Sequence, residues 1–166
     1  MQNGNFYFIK DEYFDKFKGN NLMPNKEDDE FGEHGRPCYY AFKEKNSEIM
    51  WMIPVSSQLE KFEKIYNERI LKYNPYDGIK FGYLLGKKTA FLIQNMCPVV
   101  DSYIINEYID KATGNPVTVN DSFKSDLNAT ARKAVRLYRQ GIKIVFAKIL
   151  DIESELLKEL DKEKGN

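Results

Sequence analysis

The sequence predicts an α+β protein with an antiparallel sheet, and three observations predict it. Two pairs of short apolar runs flank polar or glycine-containing turns, as β-hairpins require. A single amphipathic helical period lies between those pairs. Two further helical stripes occupy the C-terminal third, so strands and helices do not alternate as they would in a parallel βαβ sheet. The 166 residues, 42% hydrophobic and 30% charged, suffice for one domain with its own core. We read 1–166 as a single domain whose helical part covers about 122–160.

Asn5 to Lys10 (NFYFIK) is aromatic and β-branched, and is expected as the first strand. Asn20 to Gly35 holds Pro24 and an acidic run, the composition of a surface loop. Cys38–Lys43 and Ile49–Val55 flank Glu44-Lys45-Asn46-Ser47 and form the first expected hairpin, with Pro54 expected to end pairing or to sit at a sheet edge. From Ser57 the period changes. Leu59, Phe62, Tyr66, Ile70 and Tyr73 recur every three or four residues, and Ser57 with Glu60 has the spacing of a capping box. The helix is expected to stop before Asn74-Pro75. Ile79–Leu85 and Thr89–Gln94 flank Gly86-Lys87-Lys88, the second expected hairpin, and Val117–Val119 is expected as a short strand. Phe123, Leu127, Ala131, Ala134 and Tyr138 then form one helical stripe closed by Gly141. Val145, Ile149, Ile152, Leu156 and Leu160 form another.

Lysine plus arginine and aspartate plus glutamate each number 25, so uniform basicity is excluded. The charge is nonetheless segregated. Met1 to Gly35 holds four lysines against eight acids, whereas Ser122 to Lys148 holds seven basic residues against Asp126 alone. Such a block binds polyanions through its local field even on a neutral protein, although it also fits the solvated face of a helix. Arg132, Lys133, Arg136, Arg139 and Lys143 are its candidates for RNA binding, with Lys87 and Lys88 from the second hairpin. No apolar run has the roughly 20 residues a membrane helix needs. The polar, aromatic Met1–Lys10 lacks the form of a signal peptide, so a cytoplasmic protein with reduced Cys38 and Cys97 is expected.

Two cysteines and one histidine are too few for a Cys/His zinc site, and no metal or cofactor is expected. Phosphate-binding glycine loops and a Gly-x-Ser-x-Gly elbow are absent. With His34 alone, two-histidine ribonuclease chemistry is excluded. Catalysis would have to come from hydroxyls, cations and carboxylates. The best local candidate is Pro54-Val55-Ser56-Ser57, where a strand runs into a helix. Helix N-terminal amides, two adjacent hydroxyls and Lys61 one turn on suit a phosphate. The same Ser57 equally suits a plain N-cap. Arg36, between Gly35 and Pro37, offers a planar fork for phosphate oxygens, or is a surface arginine at a loop end. His34 suits acid–base chemistry near neutral pH or a solvated loop. Tyr13 suits orientation of a phosphate or ribose, or packing.

Taken together, these segments resemble the ToxN/AbiQ superfamily of type III toxin–antitoxin endoribonucleases, most closely its CptN branch. The resemblance is carried by Asn5–Ile9, His34-Gly35-Arg36-Pro37, Trp51–Phe62 and Ala90–Pro98, the last two being the most specific. It spans roughly Asn5 to Val119, the helical tail matching only in general character. It implies a compact antiparallel sheet or barrel wrapped by helices, related to the Kid/MazF toxins. It also implies metal-independent RNA cleavage and a noncoding antitoxin RNA of pseudoknot repeats, which the toxin processes and which then inhibits it. The family's serine falls on Ser57, its preceding hydroxyl residue on Ser56, its N-terminal active-site tyrosine on Tyr13 and its strand-opening basic residue on Arg36. One departure stands out. Where ToxN has lysine two residues after the serine, this chain has Leu59, and Lys61 is the nearest cation.

The mechanism expected from the resemblance is attack of a ribose 2′-OH on the adjacent phosphorus, giving 2′,3′-cyclic phosphate and 5′-OH ends. Cellular RNAs would be substrates, a protein–RNA assembly bridged by RNA the inhibited form, and abortive infection of phage a biological role. Two other readings fit the sequence: a non-catalytic RNA-binding module, and a barrel toxin acting on a protein.

Overall fold

The computed structural model describes residues 1–25 and 35–165. In chain order the elements are β1 (Phe6–Ile9), α1 (Asp11–Lys16), β2 (Pro37–Lys43), β3 (Met50–Ser56), α2 (Leu59–Ile70), β4 (Lys80–Leu84), β5 (Lys87–Phe91), β6 (Cys97–Val99), β7 (Ile104–Glu107), α3 (Asp121–Arg139) and α4 (Ile149–Lys164). The strands form one seven-stranded sheet in the order β4-β5-β3-β2-β1-β7, with β6 also paired to β3. Every pairing is antiparallel. The α+β antiparallel class expected from the sequence is the class found. No helix among the described residues is long and apolar enough to cross a membrane.

β3 is the hub. β2 runs along one side of it, paired from Cys38↔Pro54 to Lys43↔Met50 with a register shift between Tyr40 and Phe42. On the other side β6 covers Met50 to Met52 and β5 covers Val55 and Ser56. Pro54 therefore neither ends the strand nor lies at an edge, contrary to expectation. It falls where one partner strand stops and the next begins, so no ladder bond calls on its missing N–H. Its carbonyl still accepts from the Leu92 amide at 2.9 Å.

The core explains the aromatic richness of the sequence. Trp51, Phe6, Tyr39, Phe91 and Tyr13 are fully enclosed between the sheet and the helices. α3 contributes Leu127, Ala131, Ala134, Val135 and Tyr138, and α4 contributes Ile149, Ile152 and Leu156. All but Val135 are residues whose helical spacing predicted the two stripes. α3 is capped at both ends. The Asn120 side chain accepts from the Phe123 amide at 2.9 Å. Gly141, at φ 87°, lets its own amide reach the Tyr138 carbonyl and that of Ile142 reach the Leu137 carbonyl. α2 covers a smaller cluster of Phe62, Ile79, Ala90 and Leu92, and of its expected stripe only Phe62 is fully buried.

Three further expectations are corrected. The second hairpin turns at Leu85-Gly86, both at positive φ, so Lys87 and Lys88 belong to β5 and not to the turn. Val117–Val119 forms no strand; Asn5↔Thr118 is an isolated bridge. Ser57 is not the cap of α2, whose N-cap is Gln58 with no side-chain cap bond. Asn20–Gly35, expected as a loop, begins after a 3-10 turn at Lys18–Asn20 and holds a buried Asn25, while 26–34 lies outside the described residues.

Candidate active site

The junction of β3 and α2 is built by a bend. Ser56, paired with Ala90 of β5, is the last residue held by the sheet. Its hydroxyl is buried and accepts from the Gln58 amide at 3.2 Å, closing a local turn that Ser readily makes. That turn leaves Ser57 exposed. The Ser57 carbonyl accepts from Leu59 at 2.7 Å, and the first i→i−4 bond of the helix runs from Phe62 to Gln58 at 3.2 Å. The amides of Glu60 and Lys61 thus belong to the turn before the ladder begins, where N–H groups carry the positive end of the helix dipole. Lys61 is exposed, its ammonium 5.3 Å from the Phe62 ring centre. An exposed hydroxyl, first-turn amides and a nearby cation make a site suited to an anion.

Arg36 approaches the same junction from β2. Its Nη1 donates to the Val55 carbonyl at 2.9 Å, and its own amide donates to the Asn25 carbonyl at 2.9 Å. The side chain is 2% exposed, so its charge acts from beneath the strand end and not from the surface expected of it. Asn25 was not singled out from the sequence, where Pro24-Asn25 reads only as loop. Its Nδ2 reaches Asp11 at 2.9 Å and the Ile9 carbonyl at 3.2 Å, tying the segment before β2 to β1 and α1.

Tyr13 is brought near this region but turned away from it. It is fully buried, and its hydroxyl donates to the Pro98 carbonyl at 2.6 Å. Burial, reinforced by the neighbouring Cys97, pushes its pKa well above the usual tyrosine value. The structure gives Tyr13 a packing position among Phe14, Phe17 and Tyr103, in place of the solvent-facing one a proton-transfer group needs. His34 lies outside the described residues. Cys38 and Cys97 are free and buried, and burial raises both thiol pKa values, that of Cys97 to about 12.

Arg132, Lys133, Arg136 and Arg139 of α3 are exposed but unequally engaged. Lys133 pairs with Asp77 at 2.7 Å. Arg139 bridges Glu44 at 2.8 Å and Glu153 at 2.7 Å. Arg132 lies over the Phe42 ring at 4.3 Å, and Lys143 over Tyr138 at 5.9 Å. On β5, Lys88 pairs with Glu63 of α2 at 2.5 Å, and Lys87 is exposed. Acids distant in sequence thus temper the charge block that sequence counting isolates.

With this geometry in view, the fold is matched by that of AbiQ, a lactococcal anti-phage endoribonuclease belonging to the type-III toxin-antitoxin system. The TM-score is 0.65 at 17% identity, over 93% of this chain and 98% of that one. A chain from a bacterial antiviral system regulated by a processed non-coding RNA matches at TM-score 0.60 and 14% identity, over 90% and 95% of the two chains. No protein-family model and no curated protein matches the sequence. At these identities the likeness is one of fold, and it agrees with the fold implied by the resemblance noted above.

Proposed function

We propose that the protein is a metal-independent endoribonuclease toxin of a type III toxin–antitoxin system, acting at the junction of β3 and α2. The supporting observation is the exposed Ser57 hydroxyl at the mouth of α2, in a fold shared with AbiQ along almost its full length. RNA supplies its own nucleophile. The ribose 2′-oxygen attacks the adjacent phosphorus, the 2′-proton departs, and the bond to the 5′-oxygen breaks as that oxygen gains a proton. The products are a 2′,3′-cyclic phosphate and a 5′-OH.

In this reading Ser57 and the first-turn amides of α2 hold the non-bridging oxygens, and Lys61 neutralises charge that grows in the transition state. Ser56 and Arg36 are positioning residues: the first fixes the bend, the second holds the carbonyl of Val55. A repeat pseudoknot RNA, cut by the toxin and then retained, would occupy the same site in a protein–RNA assembly. Cellular RNAs would be the targets, and abortive phage infection a role. End analysis of RNA incubated with the purified protein tests the reaction. Cyclic phosphate and 5′-OH ends are expected, and 5′-phosphate ends or intact RNA would overturn it.

A further inference from the structure

The basic face of α3 borders a cleft of about 570 Å³ whose other wall is the end of β2 and the turn after it. Two features make it a built groove. The Arg132 guanidinium carbon lies over the Phe42 ring, 4.3 Å from its centre, and Phe42 stacks on Trp51 at 6.0 Å with 22° between the planes. Arg139 closes the other end, 6.0 Å from the Trp51 ring and bonded to Glu44 and Glu153. Between them, one helical turn from each, Arg136 is exposed. Among the described residues neither Arg132 nor Arg136 has a carboxylate partner, whereas Arg139 and Lys133 are both neutralised.

We propose that this groove binds the sugar–phosphate backbone of single-stranded RNA, with Arg132 and Arg136 as its phosphate contacts and Arg139 as a fixed wall. The inference rests on the RNA reading above and extends it to a second site. A guanidinium held over a buried ring has lost side-chain freedom before the ligand arrives, and a guanidinium offers phosphate oxygens a planar fork. Arg136, four residues on, puts a second fork on the same face.

The groove is remote from the cleavage junction. Phe42 pairs with Trp51, and Ser57, just past the end of β3, lies six residues further along the chain, roughly 20 Å at about 3.3 Å per residue. A stacked strand advances about 3.4 Å per nucleotide, so about six nucleotides separate the two sites. RNA must therefore exceed a threshold length before the groove contributes, and the groove holds RNA without touching the reacting phosphate.

The test uses uncleavable 2′-O-methyl oligouridines of about 4 and about 20 nucleotides, spanning the range of single-strand site sizes. For the R132Q/R136Q protein, affinity for the longer RNA should fall about tenfold while that for the shorter stays unchanged. The slope of log affinity against log salt should shrink by about 1.4, or about 0.7 per arginine. R136Q alone, at an exposed position, should lose about 0.7 even if the double variant folds poorly. Unchanged affinity and slope in R136Q and in a folded R132Q/R136Q overturn the groove, while cleavage by the wild-type protein would leave the enzymatic reading standing. Equal losses for both RNA lengths also overturn it, because they place the arginines at the junction. Failure of the wild-type protein to bind either RNA overturns both readings.

Discussion

Arg36 and Val55 are joined by a hydrogen bond of 2.9 Å from the guanidinium Nη1 to the backbone carbonyl, two residues before Ser57. A buried cation thus grips the strand where it leaves the sheet, and the backbone geometry at Ser57 depends on that grip. Arg36→Gln should lower kcat of RNA cleavage by about tenfold or more with KM for long RNA little changed, since a misplaced reacting group is costly. Arg36→Lys keeps the charge but not the planar fork, and should recover part of the rate. Single-turnover and steady-state kinetics of the three proteins check this. Equal kcat in all three would remove Arg36 from the site.

Ser56 and Ser57 are neighbours with opposite surroundings, and their alanine variants should separate accordingly. Ser57 is exposed, so Ser57→Ala should leave the melting temperature unchanged and reduce cleavage by about 100- to 1,000-fold, the range for loss of one preorganised donor. Ser56 is buried and accepts from the Gln58 amide. Ser56→Ala leaves that amide without its acceptor and should cost about 1 kcal/mol of stability, measurable by denaturant unfolding. A fully active, folded Ser57→Ala protein would count decisively against the proposed chemistry.

The elements that the sequence made legible are those whose side-chain period matches burial. β2, β3 and α3 read clearly because Cys38–Phe42, Met50–Val55 and the Leu127–Tyr138 stripe are all buried. α1 did not, because it is six residues long and has no side-chain cap bond. β6 was hidden by Pro98, tolerable there because its ladder is the short one to Met50–Met52. β7 was hidden by its half-exposed, weakly apolar pattern. At the site, sequence located Ser57 and the strand-to-helix junction. It did not reveal that Arg36 and Tyr13 turn inward, because burial of a polar side chain depends on which distant carbonyl receives it. Val55 and Pro98 are those carbonyls, and neither leaves a local signal.

Cys38 and Cys97 predict an alkaline limit to stability. An unfolded thiol titrates near 9.0, whereas burial holds the proton on Cys97 to about 12 and pushes Cys38 the same way. As pH rises the unfolded chain therefore loses these protons first. Their contribution to stability is whole below about 9 and falls away between about 9 and 12. Cys97→Ala should flatten the slope of unfolding free energy against pH in that window, whatever pH-independent cost its cavity adds. Neither thiol should react with an aromatic disulfide reagent near pH 8 until the protein unfolds, since the thiolate is the reactive form. Rapid labelling of the native protein would contradict the buried placement.

Gly82 tests how α3 is seated on the sheet that carries the site. A β-carbon built at Gly82 of β4 clashes with the edge of the Phe123 ring, whose Cε1 and Cζ are its nearest neighbours. Phe123 has little room to retreat. It packs edge-on against the buried Phe91 ring at 5.0 Å and follows the Asn120 cap of α3. Overpacking of this kind typically costs about 1–3 kcal/mol, so Gly82→Ala should lower the unfolding free energy by that amount. Phe123→Leu alone should also destabilise, by removing ring contacts. The two changes are in direct contact and should not add, because a smaller side chain at 123 leaves space for the new methyl. A double-mutant cycle in urea measures the coupling. Strict additivity would show that Phe123 does not sit over Gly82 and that α3 meets the sheet elsewhere.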